Sequence, residues 1–134
     1  MVEIAVTLSV IGIIAGIVVP RVNPLLDAAA TRAAASELLA SLAAARHSAL
    51  AESRVVAVRL DGAAGSFTVF AGSDTILVRP VRAEHGVEFE STRDSIAYGA
   101  SGRGYGAANT TVILRRGAVA ETVVVSRLGR ARWR

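Results

Sequence analysis

A cysteine-free chain of 134 residues can hold one small domain plus an appendage, and it can build neither a disulfide framework nor a thiolate metal site. Aromatic residues make up only 4%, so any core must be assembled from Val, Leu, Ile and Ala. The net charge of +4 is unevenly spread: residues 1–100 hold eight arginines against ten acids, whereas residues 101–134 hold seven arginines against Glu121 alone, a basic surface on a near-neutral body.

The chain opens on MVEIAVTLSVIGIIAGIVVP, with no charge between Ile4 and Val19 and only Thr7 and Ser9 polar. A signal-peptide core is disfavoured because no basic residue precedes the run and no small-x-small site follows it. A soluble core helix is disfavoured because every face would be apolar. Twenty residues at about 1.5 Å each rise roughly 30 Å, the thickness of one hydrocarbon core, so residues 1–20 read as a transmembrane helix. Glu3 either sits at headgroup level or meets a cationic partner when helices pack side by side. Gly12 and Gly16 form a G-x-x-x-G pair that permits close helix approach.

Pro20 and Pro24 frame Arg21-Val22-Asn23, which predicts a kink or loosening, and Asn23-Pro24 also reads as an N-cap with proline at the first helical position. Residues 21–53 continue as an amphipathic, alanine-rich helix. Leu38, Leu42, Ala45 and Ala49 recur at helical spacing, Leu39 and Leu50 widen the stripe, and Ser36, Glu37, His47 and Ser48 fill the other arc. Arg46 projects beside the stripe, expected to pack its stem and carry its head to solvent or to a strand carbonyl.

From residue 54 the period changes to two, predicting a β-rich head over 54–134. Strands are expected at Arg54–Leu60 and Ser66–Ala71 around a turn at residues 61–65, and at Thr75–Val81 as an edge or strand end because of Pro80. Gly86–Glu90 and Ser95–Tyr98 are shorter candidates, and Asn109–Leu114 with Glu121–Ser126 make a second hairpin around residues 115–118. A helix followed by regular short strands indicates an α+β fold with antiparallel sheets. The glycine-rich stretch 99–106 lacks the strand-before, helix-after setting of a phosphate cradle and reads as a flexible inter-strand loop.

Catalysis finds no constellation. His47 falls on a helix and His85 on a loop, neither has a second histidine at i+4, and no serine lies in a nucleophile elbow. Glu84, Glu88 and Glu90 read as a solvated acidic patch. Neither an enzyme nor a cofactor, metal or small-molecule substrate is expected. The end of the chain is more informative. Gly129 permits a turn after a valine-rich strand, and Arg130, Arg132 and Arg134 then alternate with Ala131 and Trp133. Guanidiniums about 6–7 Å apart suit a phosphate backbone, and Trp133 suits a base or a strand anchor. The alternative is a terminal strand whose arginines stay solvated or pair with the acids of residues 84–90.

The N-terminal run resembles type IV pilins and type II secretion pseudopilins, whose mature chains begin F-T-L-x-E and continue as an apolar helix with a glycine and a proline. Setting Glu3 on the family glutamate brings Gly12 and Pro20 into register as well. Met1 then falls on the third mature position, so the start is expected to be truncated, with the leader, its cleavage glycine and the N-methylated phenylalanine upstream. Prepilin peptidase is a partner in that case. The A-A-A-R of residues 43–46 and the G-R-x-R of residues 129–132 resemble the FimT/GspH group of minor pilins and pseudopilins.

The resemblance implies a long kinked N-terminal helix on an antiparallel head, anchored once in the bacterial inner membrane with the head periplasmic and assembled with other pilin or pseudopilin subunits. Glu3, Gly12, Gly16 and Pro20 are the assembly positions. The GspH-like role is a minor pseudopilin of a type II secretion pseudopilus. The FimT-like alternative binds DNA for uptake through Gly129, Arg130 and Arg132, to which charge and position add Arg127, Trp133 and Arg134.

Overall fold

The computed structural model describes residues 2–106 and 108–134. Helix α1 runs from Val2 to Ala51 and carries both prolines inside it. The N-cap reading of Asn23 is therefore overturned: the helix continues through residues 20–24 instead of restarting there. Proline removes one N–H and crowds the carbonyl four residues back. For Pro20 that neighbour is Gly16, whose backbone is the most accommodating available.

Among the described residues, nine strands form two antiparallel sheets. The first has the order β3-β2-β1-β5-β6 and the second β4-β7-β8-β9. The strands are β1 (Val56–Asp61), β2 (Ser66–Ala71), β3 (Asp74–Arg79), β4 (Glu88–Ser91), β5 (Ser95–Tyr98), β6 (Gly104–Tyr105), β7 (Thr110–Arg116), β8 (Val119–Val125) and β9 (Ala131–Trp133). The α+β class holds, with the long helix packed on both sheets. β3 is the edge strand that Pro80 suggested, but it ends at Arg79. Val81 instead opens a five-residue helix, α2 (Val81–His85), and buries its side chain in the core. His85 thus ends a helix and does not lie in a loop; Gly86 closes that helix at φ 63. The β7–β8 hairpin is tighter than expected, turning on Gly117-Ala118 with Gly117 at φ 57.

The helical stripe is the spine of the core. Ala34, Ala35, Leu38, Leu42, Ala45 and Ala49 are all buried, and their small side chains let α1 sit close over both sheets. Alternate residues of the strands meet them: Val56 and Val58 from β1, Val112 and Leu114 from β7, Val123 and Val125 from β8. Phe67 of β2 and Phe89 of β4 join the two sheets, their rings 4.7 Å apart. Each such leucine or phenylalanine contributes about 1.5–3 kcal/mol when fully buried.

Two polar contacts fix α1 to the second sheet. Arg116 Nε lies 3.0 Å from Asp27 Oδ1, and Arg32 Nε lies 3.4 Å from Glu121 Oε1. N-terminal to Asp27 the helix leaves the head. Its described apolar side chains are exposed on every side, among them Ile4 at 65% and Leu25 at 70%.

A basic cleft between the stem helix and the C-terminal strand

The expected assembly residues all lie on the free stem. Glu3, Gly12, Gly16 and Pro20 are exposed, and nothing stands within 4 Å of a side chain built at either glycine. Thr7 Oγ1 donates to the Glu3 carbonyl at 2.7 Å and Ser9 Oγ to the Ala5 carbonyl at 2.8 Å, so the only two hydroxyls of the run are spent on its own backbone. What the stem presents outward is almost purely apolar. One 18-residue window has a mean hydropathy of 2.5, long and apolar enough to cross a membrane.

The second site is built by the last turn of chain. Val125 ends β8, and Gly129 N–H donates to the Ser126 carbonyl at 2.8 Å, closing a turn. Arg130 N–H then donates to Ser126 Oγ at 3.1 Å, and Ser126 N–H returns a bond to the Arg130 carbonyl at 2.9 Å. β9 follows antiparallel to β8, with Ala131 opposite Val125 and Trp133 opposite Val123. Gly129 is indispensable to this route. Its φ is +79, and an added Cβ would lie 2.6 Å from Cε1 of the buried Tyr98. The Tyr98 hydroxyl donates to the Gly129 carbonyl at 3.0 Å. Burial pushes the Tyr98 phenol above its ordinary pKa, and the Arg46 guanidinium partly draws it back.

The glycine-rich stretch 99–106 is not a loose loop. It contains β6, Gly102 packs under Leu50 at the end of α1, and Gly104 N–H donates to the Leu128 carbonyl at 3.2 Å. Its glycines allow helix, sheet and C-terminal turn to close on one another.

Between α1 and this turn lies an open cleft of about 630 Å³. Leu39, Leu42, Ala43 and Leu50 form the helical wall, with Ala131 among the residues that line the strand side. Arg46, Arg130 and Arg132 supply its charge, His47 lies beside them, and among the described residues no carboxylate lines it. Of the predicted C-terminal residues, Gly129, Arg130 and Arg132 come together here, whereas Arg127, Trp133 and Arg134 lie outside the lining. Trp133 Nε1 donates to Glu121 Oε2 at 2.9 Å, which makes the indole a strand anchor. Arg134 extends the ladder by donating its N–H to the Thr122 carbonyl at 3.0 Å.

Pairing of the terminal arginines with Glu84, Glu88 and Glu90 is overturned. β4 and β9 occupy opposite edges of the second sheet, about 14 Å apart at the usual strand spacing. Among the described residues, no ion pair engages Arg46, Arg130 or Arg132. Arg46 had been expected at the stripe's border, but nothing in the sequence joined it to the C-terminus.

A separate cluster was also invisible in the sequence. His85 Nε2 lies 3.0 Å from Glu37 Oε1, and Glu84 brings a third potential ligand atom within 4.8 Å of both. Glu37 and His85 are 48 residues apart, and only the docking of α2 on α1 brings them together.

A long apolar stem helix on a two-sheet antiparallel head is the build of a pilin-type subunit, and the chain is a member of the type IV pilin and pseudopilin superfamily. More narrowly, it belongs to the family described as Type II transport protein GspH, whose model matches residues 34–129. Similar solved structures include the type IV minor pilin FimU of Pseudomonas aeruginosa in one crystal form (TM-score 0.68, 14% identity), covering 78% of this chain and 87% of that one. The minor pseudopilin EpsH from the type 2 secretion system of Vibrio cholerae is also similar, with a TM-score of 0.59 and 12% identity over 77% of this chain and 94% of that one. No curated protein matches the chain.

Proposed function

We propose that this protein is a minor pseudopilin of a type II secretion pseudopilus, acting in protein export by assembly and not by catalysis. The observation that carries the reading is the stem. An almost purely apolar helix exposed on every side from residue 2 to residue 18 is stable only in lipid or against other apolar helices. Residues 1–20 would hold the chain as a single pass in the bacterial inner membrane, with the head in the periplasm. On assembly the same surface packs against the stems of neighbouring pilin-type subunits, closely at Gly12 and Gly16. Glu3 then leaves lipid for a cationic partner on a neighbour.

The test is export of folded protein by a deletion strain complemented with variants. Deletion is expected to block export, and Gly12→Leu with Gly16→Leu to restore membrane insertion but not export. Undiminished export in the deletion strain refutes the proposal.

One observation favours a second reading. Arg130 and Arg132 are exposed and free of ion pairs among the described residues, as a DNA-uptake pilin using Gly129, Arg130 and Arg132 requires. That reading expects salt-sensitive, sequence-independent retention of DNA by the detergent-solubilised chain. Arg130→Ala with Arg132→Ala should lower the log–log salt slope by about 2. No retention at low salt removes it.

A further inference from the structure

The basic cleft has a property that a phosphate track does not need: a leucine-lined wall. We propose that it docks an acidic peptide segment, a bulky apolar residue flanked by carboxylates, carried on the head of a neighbouring protein subunit. The inference rests on the pseudopilin reading and names the partner chemistry of one head surface.

Three observations support it. The charge is uncompensated: Arg46, Arg130 and Arg132 line the cleft with no carboxylate among its described lining residues, whereas Arg32 and Arg116 elsewhere face Glu121 and Asp27. Gathering like charges is unfavourable until an anionic partner arrives. The wall is apolar and partly open, with Leu50 48% exposed at its end. A volume of about 630 Å³ is in the usual range of about 300–1,000 Å³ for binding pockets. The frame is preset, because Tyr98 holds Gly129, the residue 126–129 turn is closed by hydrogen bonds and Trp133 is tied to Glu121. A preformed site loses little freedom on binding.

These features choose among occupants. A nucleic acid would satisfy the guanidiniums and leave the leucine wall in water. Lipid headgroups are out of reach, since residues 39–50 lie about 30–45 Å along the helix from Pro20. A second copy fits poorly: Glu88 and Glu90 flank Phe89, which is buried, and Asp74 beside the exposed Ile76 already faces Arg54. A different subunit, with an exposed apolar residue between acids, meets both demands.

Trp133 is the chain's single tryptophan and adjoins Arg132, so it reports binding. The detergent-solubilised full chain is titrated with a hexapeptide of Leu-Phe flanked on each side by two glutamates. Parallel arms replace the glutamates by glutamines, replace Leu-Phe by two glycines, or supply a 12-base-pair duplex. Saturable binding of the parent peptide is expected, at least about tenfold tighter than either control peptide. Arg46→Gln with Arg130→Gln should weaken it about tenfold or more. Leu50→Ser should weaken the peptide about fivefold and leave the duplex unchanged. Ala43→Glu, at an exposed position of the wall, places a carboxylate inside the cleft and should abolish peptide binding without unfolding the head.

The inference is overturned if the parent peptide fails to saturate, if the glycine peptide or Leu50→Ser binds equally well, or if the duplex outcompetes the peptide. The pseudopilin reading stands separately on the deletion strain: failed peptide binding with blocked export sinks only the docking site.

Discussion

Replacing Gly129 by alanine tests the closure of the head at its most constrained point. The residue has a φ of +79, so any side chain there carries a left-handed penalty of about 1–2 kcal/mol. The new Cβ would also lie 2.6 Å from Tyr98 Cε1 and 3.0 Å from Gly104 N. Tyr98 is 1% exposed and cannot swing outward without opening the core, so overpacking adds about 1–3 kcal/mol. Displacing its ring also weakens the 3.0 Å bond to the Gly129 carbonyl, a further contribution of about 1 kcal/mol. The expected loss is on the order of 4 kcal/mol. The matched control is Gly72→Ala in the β2–β3 turn, at φ +62 with nothing within 4 Å, where the backbone penalty stands alone at about 1–2 kcal/mol. Urea unfolding of the full chain in detergent, followed by Trp133 fluorescence, reads the head while the stem stays in the micelle. If the two variants lose equal stability, the close approach of Tyr98 to Gly129 is wrong, and so is the preset frame of the cleft.

Other consequences are simpler to read. Asp27→Asn should cost about 0.5 kcal/mol, because both partners of its ion pair with Arg116 are partly exposed, and the loss should shrink at high salt. The Tyr98 phenol is raised by burial, so as pH climbs past 10 the unfolded chain releases that proton first. Stability present below pH 10 is therefore lost at higher pH, and Tyr98→Phe should flatten that alkaline limb in a pH series of urea midpoints. Arg130→Ala with Arg132→Ala should leave the urea midpoint nearly unchanged, since no ion pair engages either among the described residues.

What could be read from the sequence follows the range of the forces involved. The stripe Leu38, Leu42, Ala45 and Ala49 was legible because helical periodicity is local, and all four are buried. β2 and β5 were placed correctly, each bounded by turn residues. Helix α2 was missed because a five-residue helix repeats no periodic pattern, and Val81 read equally well as the end of a strand. The stretch 99–106 was misread for a different reason. Glycine marks both flexible loops and tight contacts, and only the tertiary structure shows Leu50 and Leu128 closing over it. The G-R-x-R segment was legible as a basic motif, but its meeting with Arg46, His47 and the leucine wall was not. That meeting depends on the route of β9 beside α1, which no local pattern encodes.

One helix therefore serves as both apolar stem and cleft wall, and this ties the head's orientation to that of the stem. From residue 27 onward α1 is clamped to the head, while residues 20–26 are exposed and contain both prolines. Inserting one alanine between Leu26 and Asp27 turns the head about 100° around the helix axis and lifts it about 1.5 Å. The insertion removes no core contact, so the head should keep its urea midpoint and the stem its membrane insertion. If neighbours must meet the cleft at a fixed angle, export should nevertheless fail, whereas Leu26→Ala at the same exposed position should be silent. Full export by the insertion variant would mean that the segment with the two prolines acts as a swivel, with the head finding its partners independently of the stem.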